Sequence, residues 1–197
     1  MRSVISSPLP TRHDDMLGNV QASAGISALT SEAYRDTAFV MPFFRHDQDD
    51  TLSLTFQFSH RRQLGSPLDS IHIHYVPMVN PVAIQNVYFS YSYSWQTVDA
   101  VFPALVSWVS GNLTLPIGTT DAFKHKYAPL ISAIAAPANE IYSSVLLFRI
   151  TRLGTSPSDT YNTDKATPPG TSAANLGLLY FDCHYITDRR GSVTETT

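Results

Sequence analysis

The chain has 197 residues and a mass of 21.8 kDa, enough for one well-buried core and short for two. Charged residues are only 15% of it against roughly 25% in an average soluble protein, while the hydrophobic share of 43% is ordinary, which excludes a disordered polyelectrolyte. With 13 Lys+Arg against 16 Asp+Glu the net charge is −3, and no apolar run nears the ~20 residues that span a bilayer, so neither nucleic acid nor a membrane is an expected partner.

Residues 1–30 are rich in Ser, Ala, Gly and Pro without periodicity and are predicted to form an N-terminal arm; they lack the continuous apolar stretch of a signal peptide, so synthesis in the cytoplasm is expected. SALTSEAYRDTAF, residues 27–39, offers Ser31 as an N-cap followed by Glu32, and is a candidate short helix. A strand is expected at 37–44 (TAFVMPFF). Next, Leu52, Leu54, Phe56 and Phe58 alternate with Ser53, Thr55, Gln57 and Ser59, which puts four large apolar groups on one face of a strand. A third strand follows at 70–76 (SIHIHYV). Val87, Phe89, Tyr91, Tyr93 and Trp95 form the oily face of a fourth, with Tyr88, Ser90, Ser92 and Ser94 opposite.

VDAVFPALVSWV, residues 98–109, is interrupted by Pro103 and reads as a short helix or as a hydrophobic connection. Such a connection either plugs one end of the domain or is buried against a neighbour. Strands are expected near 113–117 and at 127–134, 143–152 and 177–186. Residues 155–175 are too long for a hairpin turn, a length usually ordered by a partner, functional or disordered. Residues 191–197 are a polar tail. The single cysteine, Cys183, excludes an intramolecular disulfide scaffold, and it alternates with Phe181 and Tyr185 as a small buried hydrophobe does.

Seven or eight strands without alternating helices predict an all-β protein, an antiparallel β-sandwich over residues 31–190. Long connections between strands favour Greek-key wiring of jelly-roll type. An immunoglobulin-type sandwich fits less well, because the chain is about twice the ~100 residues of that fold and lacks its Cys…Trp…Cys arrangement.

The sharpest local feature is His72-Ile73-His74, since alternate residues of a strand point the same way and two imidazoles can share a metal. The pair resembles the opening of the cupin metal motif, but the Glu expected after the second His is missing from Tyr-Val-Pro-Met-Val-Asn-Pro. His184 in FDCHY is the candidate third ligand, with Asp182 on the same strand face. The competing reading has these groups bonding to one another inside the sandwich, or lying on a sheet that faces solvent or a subunit. Asp14-Asp15 and Asp49-Asp50 read as solvated, and Arg61-Arg62 and Arg189-Arg190 as strand-end charges. There is no G-x-S-x-G elbow and no Gly-rich phosphate loop, so no catalytic residue is assigned and no cofactor is expected. Phe102 and Trp108 in the 98–109 connection, and Tyr161 in the 155–175 loop, are candidate interface residues.

The segments FSHRRQLGSPLDSIHIHYVPMVNP, YFSYSYSW and LLFRITRLG…DTY…LLYFDCHYITDRRGS resemble a group of tailed-phage and prophage virion proteins. The shared pattern is an H-x-H strand followed by Pro, an aromatic strand ending in Trp, and a late F-D-x-H-Y strand leading to a Gly-Ser turn. It covers about residues 55–192. The resemblance implies a non-enzymatic jelly-roll component of the virion. This would be a head decoration or cement protein bridging subunits of the major capsid protein, or a neck or tail part. A symmetric homo-oligomer, a trimer, is the expected assembly. The alternatives are a cupin-like metal-dependent enzyme built on His72, His74 and His184, and a glycan-binding tail or fibre module in which Trp95 and Trp108 stack on sugar rings.

Overall fold

The structure is a computed structural model and describes residues 12–21, 30–33, 40–162 and 174–187. It is all-β, with antiparallel pairing throughout, and contains no α-helix among the described residues. In chain order the strands are β1 (Arg12–Leu17), β2 (Asn19–Gln21), β3 (Thr30–Ala33), β4 (Val40–Phe44), β5 (Asp49–Gln57) and β6 (Leu68–Pro77). They continue as β7 (Gln85–Gln96), β8 (Val109–Ile117), β9 (Lys126–Ile134), β10 (Val145–Leu153) and β11 (Leu176–Thr187). One sheet runs β3-β4-β11-β6-β9, with β1 also paired to β11; the other runs β2-β5-β10-β7-β8.

All eight strands expected between residues 37 and 186 are present, and the alternation that announced them is the alternation that buries them. Leu54, Phe56 and Phe58 of the second predicted strand are at most 2% exposed. Across the sandwich, Ile71 and Ile73 of β6 and Phe181 and Cys183 of β11 belong with them to one core. Leu146, Phe148 and Ile150 of β10 complete the layer, with Phe44 edge-on to Phe89 at 5.3 Å. A run of Val, Ile, Phe and Leu at every second position cannot hide on both faces of a strand, so it hides against a second sheet.

Two expectations at the N-terminal side are corrected. Residues 12–21 lie inside the predicted arm, yet β1 pairs with β11 and β2 with β5. The chain crosses from one sheet to the other at Gly18, whose N–H donates to the Phe181 carbonyl at 3.0 Å. A side chain there would meet the Phe56 ring at 2.8 Å, so glycine is what lets the backbone cross so close to the core. The candidate helix over 27–39 is, at Thr30–Ala33, a strand paired with β4; the rest of that segment, like the 191–197 tail, lies outside the described residues. Pairing with an open sheet edge outweighs the local capping signal of Ser31.

The 155–175 loop is tied down over its first part. Arg152, wholly buried at the end of β10, clamps Asp159 with Nε to Oδ2 at 2.8 Å and Nη2 to Oδ1 at 2.9 Å. Its remaining donors go to the carbonyls of Phe44, Ala174 and Tyr161. Tyr161, expected at an interface, is instead fully buried, with its hydroxyl donating to the Val79 carbonyl at 2.9 Å and accepting from the Val79 N–H at 3.0 Å. An aromatic residue with a hydrogen-bonding tip serves a core as well as an interface, and composition alone does not separate the two.

Candidate functional site

The outer face of the β6–β11 pair carries an unusual concentration of chemistry. Because β6 faces the core with Ile71, Ile73 and Tyr75, it turns His72 and His74 outward. On β11 a bulge between Leu178 and Tyr180 switches the alternation, so Phe181, Cys183 and Tyr185 point in while Tyr180, Asp182 and His184 point out. The register then sets Asp182 directly opposite His72 and Tyr180 opposite His74. β1 adds Asp15 opposite His184, and β9 brings Tyr127 opposite His74. Four of the chain's seven histidines, His72, His74, His125 and His184, meet on this one face.

The distances are close. His72 Nδ1 stands 3.3 Å from Asp182 Oδ1, and His74 Nε2 stands 3.3 Å from Asp182 Oδ2. His184 Nε2 lies 3.3 Å from Asp15 Oδ1 and 3.7 Å from Asp182 Oδ2. The far nitrogens of the first pair are engaged: His72 Nε2 with the Ser70 hydroxyl at 3.0 Å, and His74 Nδ1 with His125 Nε2 at 2.9 Å. The His74 ring is stacked on Tyr180 with centroids at 4.1 Å and lies nearly parallel to Tyr127 at 5.8 Å, which holds its plane. Burial pushes the imidazoles of His72 and His74 below their ordinary pKa of 6.5; for His72 the neighbouring His184 adds to this, and Asp182 opposes it in both without overcoming it. This favours the neutral form, in which an imidazole offers a lone pair.

The three histidines expected to share a metal are thus neighbours, but with Asp182 at the centre. His72, His74 and Asp182 form one group of potential ligands, while His184 groups with Asp182 and Asp15. Asp15, read from sequence as solvated, is on a strand facing His184; the other acidic pair is also corrected, because Asp50 is wholly buried and accepts from the Arg45 N–H at 2.7 Å. His125 and Tyr127 carried no sequence signal, the first preceding β9 and the second lying on it, a strand whose partner could not be known. All these groups face away from the space between the sheets, which side chains of the core fill.

Of the interface candidates in the 98–109 connection, Phe102 is 37% exposed and Trp108 half-buried. The connection holds a 3₁₀ turn over Leu105–Ser107 and no α-helix, and it does not plug the sandwich: Val101 is 86% exposed and Val106 92%. The Trp108 indole N–H donates to the Pro103 carbonyl at 3.0 Å, so the connection is braced with its apolar side chains outward. Trp95 is buried against Phe58 and its indole N–H donates to Ser144, which removes it as an exposed sugar platform. An open, polar groove of about 530 Å³ does exist on the outer face of the other sheet, lined by Ser90, Tyr91, Ser92, Arg149 and Thr151 among others. Of the two basic pairs, Arg62 is buried within its own chain against Glu140 and the Trp95 ring, and Arg189-Arg190 lies outside the described residues.

No protein-family model matches the chain, and no curated protein matches it. Among the described residues no helix is long and apolar enough to cross a membrane.

Proposed function

We propose that the chain is a non-enzymatic structural subunit of a virus particle, a capsid decoration or cement protein of jelly-roll type that assembles as a homotrimer and bridges capsid subunits. The observation that carries this reading is the apolar surface of the β7–β8 connection. Val98, Val101, Phe102, Leu105, Val106 and Val109 are all exposed within a dozen positions, on a backbone braced by two turn hydrogen bonds, Ser107 N–H to Ala104 and Trp108 N–H to Leu105. Scattered exposed apolar residues need no explanation, whereas a contiguous, rigid set is expected to be covered by a partner. Rigid apolar side chains lose little entropy on association, so their burial is kept as binding free energy.

Two further features support it. The strand orders β4-β11-β6-β9 and β5-β10-β7-β8 support the jelly-roll reading, because two interlocked Greek keys give such interleaved orders. A second apolar tip, Val82 at 93% and Ile84 at 71% exposure, sits on the β6–β7 connection at the opposite end of β7. The twelve residues of β7 separate the tips by roughly 40 Å, too far for one small contact to cover both. A subunit that touches neighbours at two ends is what a bridging role requires. Light scattering on the purified full chain tests the assembly: a trimer is expected, and Val101→Asp with Val106→Asp should convert it to monomers. A wild-type chain that remains monomeric over the whole accessible concentration range would overturn the reading.

A further inference from the structure

The geometry points to a divalent transition-metal site on the outer face of the β6–β11 pair, with His72 Nδ1, His74 Nε2 and the Asp182 carboxylate as ligands to an ion of zinc type. It is independent of the assembly role proposed above.

Four observations carry it. The first is separation. Ligand atoms held about 2.0–2.1 Å from a tetrahedral zinc ion stand about 3.3 Å from each other; His72 Nδ1 lies 3.3 Å from Asp182 Oδ1 and His74 Nε2 3.3 Å from Asp182 Oδ2, with one potential ligand atom from each of the three residues within 4.8 Å of the others. The second is the lack of in-line donors. Asp182 is 8% exposed, yet neither its Oδ1, 3.3 Å from His72 Nδ1, nor the His74 Nε2 that stands 3.3 Å from its Oδ2 has an in-line hydrogen-bond partner. A buried carboxylate oxygen without an in-line donor is poorly compensated, and a cation bound between the three side chains would compensate it.

The third is the outer set of hydrogen bonds. A histidine that ligates through one nitrogen normally commits the other to a neighbour, which fixes tautomer and ring plane. Here His72 Nε2 is committed to Ser70 and His74 Nδ1 to His125. In the tautomer with the His74 proton on Nδ1 and donated to His125, the Nε2 lone pair faces the carboxylate, and a cation between them would be held by both. The fourth is rigidity: His72 and Asp182 are direct cross-strand partners on two central strands, and Tyr127 and Tyr180 flank the His74 ring. Two imidazoles and one carboxylate are the donor set of a borderline metal; calcium and magnesium prefer all-oxygen sites. Three protein ligands on an outward face leave the remaining coordination position to water or to an incoming group.

The test is zinc titration of the tag-free, chelator-treated full chain by calorimetry, with thermal unfolding in parallel. One Zn²⁺ per chain is expected, with a rise in Tm at saturating metal. Asp182→Asn keeps the volume of the side chain and should weaken binding more than tenfold; His72→Ala should do the same. Ser70→Ala, which touches only the outer hydrogen bond, should cost about 10- to 100-fold. His184→Ala should leave one Zn²⁺ per chain. Circular dichroism and the metal-free Tm show which variants are folded, and only those are read. A wild-type chain that binds no zinc, or folded Asp182→Asn and His72→Ala variants that bind as tightly as wild type, would overturn the site. Loss of binding in folded His184→Ala would overturn the ligand assignment in favour of the Asp15–Asp182–His184 group.

Discussion

Arg152 shows how much of this fold rests on single polar residues that no local pattern announces. A guanidinium has five N–H donors, and all five are used: two on Asp159 and one each on the carbonyls of Phe44, Ala174 and Tyr161. Asp159, equally buried, also accepts from the Tyr88 N–H at 3.1 Å. The pair fastens the start of the β10–β11 connection to β4 and β7 together. Removing one partner leaves a buried charge without compensation, so Asp159→Ala should destabilise the fold by about 3–5 kcal/mol in urea unfolding. The double change of Arg152→Met with Asp159→Leu, which removes both charges, should cost less than Asp159→Ala alone; a larger loss would show that the carbonyl contacts dominate the ion pair. Arg62 repeats the theme at the other end of the sheet, between Glu140, the Ser66 carbonyl and the Trp95 ring. In the sequence Arg62 looks like an ordinary strand-end charge beside Arg61, because the carboxylate that claims it lies far along the chain at Glu140.

At the scale of elements, the eight strands β4–β11 were legible and the three before them were not. Alternation is a local signal and survives in any sequence where one face is buried, as at Leu52, Leu54, Phe56 and Phe58. β1, β2 and β3 are short edge additions whose stability comes from the strand they join, so their own residues carry little pattern. The step between β1 and β2 depends on Gly18. Gly18→Val would force the buried Phe56 ring aside, and overpacking of this kind costs about 1–3 kcal/mol. Denaturant unfolding should show that loss, and limited proteolysis should reach residues 12–21 earlier than in wild type. Adding Phe56→Leu to Gly18→Val should cost less than the sum of the single changes, since the two sites share one space. Additive effects would mean that the strain is relieved elsewhere.

For the whole molecule, the central strand reports on global stability. β11 pairs with β1, β4 and β6, and at its middle Cys183 is wholly buried in the common core. Burial pushes its thiol well above the ordinary value, even with Arg62 pulling the other way. No sub-global opening exposes the centre of such a strand without parting both sheets, so alkylation of Cys183 should proceed only through global unfolding. The labelling rate should then rise with urea along the slope of the unfolding curve. Labelling that is fast and independent of denaturant would show that the sheet opens locally around β11.

What the sequence determined by itself is what depends on neighbours along the chain: the all-β class, the faces of the eight principal strands, the buried thiol, and the placing of His72 and His74 on one face of a strand. Each follows from a period of two and from side-chain chemistry, which a strand carries wherever it is placed. Only the tertiary structure decided which strands stand side by side. That register put Asp182 opposite His72, brought His125 and Asp15 to the same face, buried Asp50, Arg62 and Tyr161, and turned the apolar 98–109 connection outward. Its determinants are long-range: the bulge at Leu178–Tyr180 and the crossing at Gly18 gain their meaning from residues more than a hundred and some forty positions away in the chain, such as His74 and Phe56. A local pattern states which way a side chain points, and the packing of the two sheets settles what it meets there.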